Sequence, residues 1–222
     1  MKRLVAVGNF YGAHEPYANL FENVVVFPAI RGSIEQASDF NLTKDDVLLF
    51  GGGEDISPTL YKQRASRFTG ASNELSERDV LEKLFFDKAV ALNIPMIGIC
   101  RGAQLLCALS GGSLYQHVNK HGNGHEVDTN TGQTVYVSSV HHQMMNPLGT
   151  KHELIAWSKE ILSNIHLVEG EQNLDVTVEP EVVYFQDTKA LAIQYHPEFM
   201  SEQDEGYKYA QDLVNKYILQ GT

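Results

Sequence analysis

Four short runs, Arg3-Leu-Val-Ala-Val7, Asn23-Val-Val-Val-Phe27, Asp46-Val-Leu-Leu-Phe50 and Met96-Ile-Gly-Ile99, are apolar with almost no alternation. A strand with one wet face alternates polar and apolar residues. One that does not is covered on both faces, as parallel strands between two layers of helices are. Between the third and fourth runs, Val80, Leu81, Leu84, Phe85 and Val90 recur at helical spacing from Ser76 to Leu92. Ser76 is placed as the N-cap, with Glu77 and Asp79 beside the positive helix end. Asn93-Ile-Pro95 stops that helix, and a helical pattern resumes from Gly102 to Leu109 until Gly111-Gly112 ends it. Strand, helix, strand, helix predicts an α/β fold around a mostly parallel central sheet.

Beyond Gly124 the texture becomes β-rich, in His125-Glu-Val127, Thr134-Val-Tyr-Val137, Glu153-Leu-Ile-Ala-Trp157, Val182-Val-Tyr-Phe185 and Ala190-Leu-Ala-Ile-Gln194. Asp187-Thr188-Lys189 is too short for a crossover, so the strands it joins pair antiparallel and form an antiparallel C-terminal extension. Residues 202–219 place Tyr207, Ala210, Leu213, Val214 and Tyr217 on one face of a closing helix. A length of 222 residues with 43% apolar content predicts one domain over 1–222.

The 28 acidic residues against 17 basic ones leave a net charge of -11, which repels phosphate backbones and anionic lipid, so no nucleic acid is expected as a partner. No apolar run approaches the roughly 20 residues that span a bilayer, which predicts a protein with no membrane association, held in the cytoplasm. Cys100 and Cys107 lie seven apart on one predicted helix, roughly 10 Å between α-carbons and beyond disulfide reach. That favours free thiols in a reducing compartment.

Gly98-Ile-Cys100-Arg-Gly102-Ala-Gln104 runs a strand straight into a helix, with the cysteine at the junction and glycines two positions either side. This is the pattern of a nucleophile elbow, in which a tight turn exposes the side chain at the sheet edge and the helix N-terminus makes the thiolate more available. The bland reading is that Cys100 is a small buried core residue. Cys107, amid Leu105, Leu106 and Leu109, has only that second reading. A thiolate that attacks an amide needs a histidine to deliver a proton to the leaving amine and an acceptor on the histidine's other nitrogen. Ala192-Ile-Gln-Tyr-His196-Pro-Glu198 offers both, although the same residues also fit a histidine ending a strand beside a solvated carboxylate. Gly51-Gly52-Gly53, after its strand, is either a flexible turn or a source of backbone N–H donors at the same sheet edge as the elbow.

Seven pieces in this order resemble class I glutamine amidotransferases, and within them the γ-glutamyl-γ-aminobutyrate hydrolase-like branch, peptidase C26. They are Gly51-Gly-Gly-Glu-Asp55-Ile-Ser-Pro58, Arg78-Asp79, Gly98-Ile-Cys-Arg-Gly-Ala-Gln104, Gly111-Gly-Ser-Leu-Tyr115, His125-Glu-Val127, Ser138-Ser-Val-His-His-Gln143 and Gln194-Tyr-His-Pro-Glu198. The resemblance implies a three-layer, flavodoxin-like fold. It implies that Cys100 is the nucleophile, His196 the general acid/base and Glu198 its orienter in cleavage of a γ-glutamyl amide. It also implies an oxyanion hole from Gly52, Gly53 and Arg101, and a cradle for the glutamyl group from Gln104, Ser139, Val140 and His141. Cys-Arg-Gly at the elbow resembles the stand-alone hydrolases, and the Arg101 side chain is expected to read the amine half of the substrate. The alternative is a glutaminase subunit that supplies ammonia to a separate synthetase partner; a homo-oligomer is compatible with either.

His117, His121 and His125 recur every four residues, but Gly122 and Gly124 break the helix that would gather them, so no metal site is expected. No cofactor is expected either, since Gly111-Gly112 lacks the Gly-Lys-Ser/Thr of a phosphate loop. Only His14 to Glu22 is available for a helix between the first two strands, where relatives of the hydrolase branch have a full one.

Overall fold

In a computed structural model, which describes residues 2–8, 12–28, 33–173 and 175–220, the four apolar runs form strands β1 (Arg3–Val7), β2 (Asn23–Phe27), β3 (Asp46–Phe50) and β4 (Met96–Ile99). The later segments form β5 (His125–Thr129), β6 (Thr134–Val137), β7 (His152–Ser158), β8 (Pro180–Phe185) and β9 (Ala190–Ile193). They make one nine-stranded sheet in the order β2-β1-β3-β4-β9-β8-β7-β5-β6. Pairing is parallel from β2 across to β9 and antiparallel from there outward, with the turn at 187–189 joining β8 to β9 as expected.

Alternate residues of the parallel strands feed two separate cores, which is the signature of a sheet covered on both faces. Val5, Val7, Leu48, Phe50 and Met96 face α1 (Ser33–Asp39), α2 (Glu77–Leu92) and α3 (Arg101–Leu109). Leu4, Ala6, Val47, Leu49, Ile97 and Ile99 pack with Ala210, Leu213 and Val214 of α4 (Glu205–Val214), and with Tyr17 from the short helix Glu15–Leu20. Among the described residues that short helix is the one helix between β1 and β2, as the limited chain there requires.

Helix α2 starts where its cap predicts: the Ser76 side chain accepts from the Asp79 N–H, and the Asp79 carboxylate accepts from the Ser76 N–H. Its buried face differs from the apolar pattern. Val80 and Val90 are exposed, while Phe86, Ala89 and the two acids Asp79 and Glu82 are buried. The reason for burying two carboxylates is the side chain of Arg101, described below. Two smaller ladders flank the sheet: Ser113–Tyr115 with Met144–Asn146, and His166–Val168 between His117–Val118 and Glu171–Gln172.

Candidate active site

β4 and β9 are adjacent and parallel, so the residues that follow them emerge side by side at the same sheet edge. After β4 comes Cys100, at φ 51° and ψ -105°, a backbone conformation that side chains rarely adopt and that persists where surrounding packing enforces it. The enforcement is visible at the flanking glycines. A Cβ on Gly98 would lie 2.4 Å from the Gly102 carbonyl oxygen, and one on Gly102 would lie 2.0 Å from the Phe50 carbonyl oxygen. The strand and the helix therefore touch backbone to backbone, and the turn between them has no room to relax. The Cys100 N–H donates to the Ile193 carbonyl at 2.8 Å, tying the elbow to β9.

After β9 comes His196, 4% exposed, with Nδ1 2.8 Å from Glu198 Oε1 and the ring interacting with the Cys100 side chain. Burial works to lower its pKa, but the interactions with Cys100 and Glu198 outweigh burial and raise it to about 10. The ring is stacked on Phe199, centroids 4.5 Å apart and 9° from parallel. Ser138 Oγ accepts from the His196 N–H at 3.0 Å and donates to its carbonyl at 2.7 Å, which fixes the backbone beneath the ring. Ser138 and Phe199 carry no role in the sequence reading, although Ser138 opens the quoted Ser-Ser-Val-His-His-Gln motif. Cys107 lies in the core, fully buried, and burial pushes its thiol up to about 12.

Gly52 forms the opposite wall. A Cβ there would lie 2.9 Å from His196 Cε1 and 3.8 Å from Cys100 Cβ, so only a bare backbone fits between them. Gly53 follows at φ 140°, a conformation that favours glycine. Arg78 holds this loop from behind, its Nη2 donating to the carbonyls of Gly8, Gly51 and Gly52 at 3.3, 3.0 and 2.9 Å. Arg78 in turn binds Glu82 at 2.8 Å, and Glu82 also pairs with Arg101, whose other terminal nitrogen lies 2.7 Å from Asp79. The Arg101 side chain is thus 2% exposed with both terminal nitrogens paired to buried carboxylates, which corrects the expectation that it reads substrate. A guanidinium next to the elbow needs counter-charges, and α2 supplies them from the inner face that the apolar pattern could not reveal.

The four residues of the expected cradle have different fates. Gln104 is 3% exposed, its amide nitrogen donating to the Gln143 carbonyl at 3.1 Å and standing 3.5 Å from Gln194 Oε1. Ser139 is buried and its hydroxyl donates to the His121 carbonyl at 2.7 Å. The His141 ring is turned inward, 2.8 Å from the Gln143 carbonyl and 3.5 Å from Glu181, so the imidazole is not presented to a ligand. Val140 is 58% exposed and lines a cavity of 640 Å³ with Ser138, Tyr136, Met200 and Phe199, the ring that stacks on His196. His121, His125, His141 and Glu181 come together in one buried cluster, while His117 stands apart, stacked on Phe68.

The peptidase C26 family model matches residues 13–198, which spans both the elbow and the His196–Glu198 pair. The chain belongs to the peptidase C26 family. This places it in an enzyme family of the class I glutamine amidotransferase type, as the ordered motifs imply. Protein NtpR of Enterococcus hirae is 31% identical over 69% of this chain and 66% of its own length. The glutamine amidotransferase-like protein YvdE of Lactococcus lactis subsp. lactis is 28% identical over 82% of this chain and 77% of its own length. The chain thus spans a little under two thirds of NtpR. A crystal structure of a glutamine amidotransferase from Thermotoga maritima superposes with a TM-score of 0.55 at 16% identity, covering 89% of this chain and 76% of that one, which shows the shared fold. Among the described residues no helix is long and apolar enough to cross a membrane.

Proposed function

We propose that this protein hydrolyses a γ-glutamyl amide, glutamine or a γ-glutamyl amine, through a γ-glutamyl thioester on Cys100. The observation that carries this reading is the arrangement on two adjacent strand ends: a thiol on a strained elbow, beside an imidazole whose Nδ1 is bonded to a carboxylate. His196 holds the Cys100 proton as the thiolate sulfur attacks the amide carbon. The oxygen of the tetrahedral intermediate takes the negative charge. As the C–N bond breaks, His196 gives its proton to the leaving amine. Water then attacks the thioester, losing a proton to His196, and the C–S bond breaks to release glutamate and the free thiol. Glu198 orients the ring and stabilises its charged form.

The Arg101 N–H, on the first turn of α3, and the N–H of Gly53 are the donors to the oxyanion, with Gly52 as the bare backbone that admits it. Because the peptide unit is planar and trans, holding the Gly52 carbonyl on Arg78 turns the Gly53 N–H away from Arg78. Each such donor is worth about 2.7 to 4 kcal/mol in kcat. Gln104 and the backbone of Ser139, Val140 and His141 receive the glutamyl group, and the cavity beside Val140 and Phe199 receives the amine. Turnover of glutamine and a series of γ-glutamyl amines by the purified chain tests the reading. Cleavage of at least one γ-glutamyl amine without any partner supports it. Activity on glutamine that arises only with an added synthetase assigns the chain to ammonia supply, and no turnover of any member contradicts both.

A further inference from the structure

The cluster formed by His121, His141 and Glu181 lies outside the chemistry described above. All three side chains are buried, between 0 and 1% exposed, and their ligand atoms lie within 4.8 Å of one another. His121 Nδ1 stands 3.7 Å and His141 Nε2 3.5 Å from the same Glu181 oxygen. These separations are long for hydrogen bonds, and both nitrogens and Glu181 Oε2 lack hydrogen-bond partners. Orphaned polar atoms at this depth are costly, so their gathering on three neighbouring side chains calls for an explanation. In a tetrahedral zinc site with bonds of 2.0–2.2 Å, neighbouring ligand atoms lie about 3.4 Å apart, a few tenths of an ångström from the two separations measured to Glu181 and inside the 4.8 Å that bounds the whole set.

The surroundings fit the same reading. A histidine that binds a metal with one nitrogen almost always gives the other to a carboxylate or a backbone carbonyl. His121 Nε2 faces Glu179 Oε2 at 3.3 Å, near it but not hydrogen-bonded, and His141 Nδ1 stands 2.8 Å from the Gln143 carbonyl. Glu179 is itself held by His166 at 2.9 Å and by the N–H groups of Leu162 and Ser163 at 2.8 and 2.9 Å. His125 Nε2, 3.1 Å from Glu181 Oε1, steers the remaining carboxylate. The backbone locks the two ligand histidines together, since the His121 carbonyl accepts both the His141 N–H at 3.0 Å and the Ser139 hydroxyl.

We propose that His121, His141 and Glu181 form a binding site for one divalent transition-metal ion, zinc by its ligand set and spacing. The ligands come from the segment before β5, the segment after β6 and the start of β8, so the periodicity of His117, His121 and His125 could not disclose them. The ion braces the site without taking part in bond cleavage. Glu181 accepts the Gln194 N–H through its carbonyl at 2.8 Å, and Gln194 lies two residues before His196.

The test uses full-length protein purified without a polyhistidine tag. Elemental analysis should find one zinc per chain, and chelation followed by cobalt titration should give the strong visible absorption of tetrahedral cobalt at one equivalent. Chelation should lower Tm, and zinc should restore it. Glu181→Gln and His121→Ala should each weaken zinc binding about 100-fold or more, whereas Cys100→Ala should bind it as the parent does. Failure of the unsubstituted protein to take up zinc or cobalt overturns the proposal, and so does binding that survives in both cluster variants or is lost with Cys100.

Discussion

Arg101→Leu separates two uses of a residue beside the nucleophile. The substitution keeps the backbone N–H but removes a guanidinium that faces Asp79 and Glu82, 1% and 0% exposed. Deleting one partner of a buried ion pair costs about 3–5 kcal/mol, because the remaining charge stays desolvated. Here the lower end applies: Glu82 keeps Arg78 at 2.8 Å, and Asp79 keeps the Ser76 N–H and hydroxyl at 3.0 and 2.8 Å. A loss of about 3 kcal/mol is roughly a 150-fold change in the folding equilibrium. For a chain of this size it lowers Tm by about 6–12 °C. Urea and thermal unfolding read this directly. The same network anchors the Gly52 carbonyl through Arg78, so kcat/KM should fall by one common factor for glutamine and for γ-glutamyl amines. A variant as stable as the parent that loses activity only on γ-glutamyl amines would refute the reasoning and return the side chain to substrate recognition.

Two further outcomes follow from the site. Gly52→Ala places a methyl 2.9 Å from His196 Cε1, so kcat should fall by about 100-fold or more while Tm changes little; a rate near that of the parent would remove Gly52 from the wall of the site. His196, raised from 6.5 to about 10 by Cys100 and Glu198 against the effect of burial, binds its proton more tightly folded than unfolded. Its contribution to stability is therefore fully present below about pH 6.5 and lost as pH rises toward 10. Cys100→Ala should bring the His196 pKa down, read by NMR titration of the ring, and should flatten that stretch of the stability profile; an unchanged titration would mean that Cys100 does not hold the ring's charge.

The elbow was legible because its geometry is written in adjacent residues: Gly98 and Gly102 are glycine since each would otherwise collide with a carbonyl oxygen at 2.4 or 2.0 Å. The parallel core was legible because strands covered on both faces lose their alternation. The fate of the Arg101 side chain was not, since its partners lie 22 and 19 positions earlier on a helix whose Asp79 reads equally well as a cap and whose Glu82 reads as solvated surface. The histidine cluster was hidden for a related reason. Gly122 and Gly124 do break the helix that would align His121 with His125, but the chain gathers them by folding back onto Glu181 of a distant strand. Contacts of that kind depend on register between remote segments and leave no periodic trace.

The central claim is that Cys100 is acylated during turnover, and rapid quench followed by peptide mass analysis tests it most directly. With a substrate of the series that the protein cleaves, the account predicts a γ-glutamyl group on the peptide carrying Cys100 and none on Cys107. The acylated fraction should be released as the hydroxamate when hydroxylamine is added, and Cys100→Ala should show neither label nor turnover while remaining folded. Turnover that persists in Cys100→Ala, or a label found on any other residue, would contradict the account.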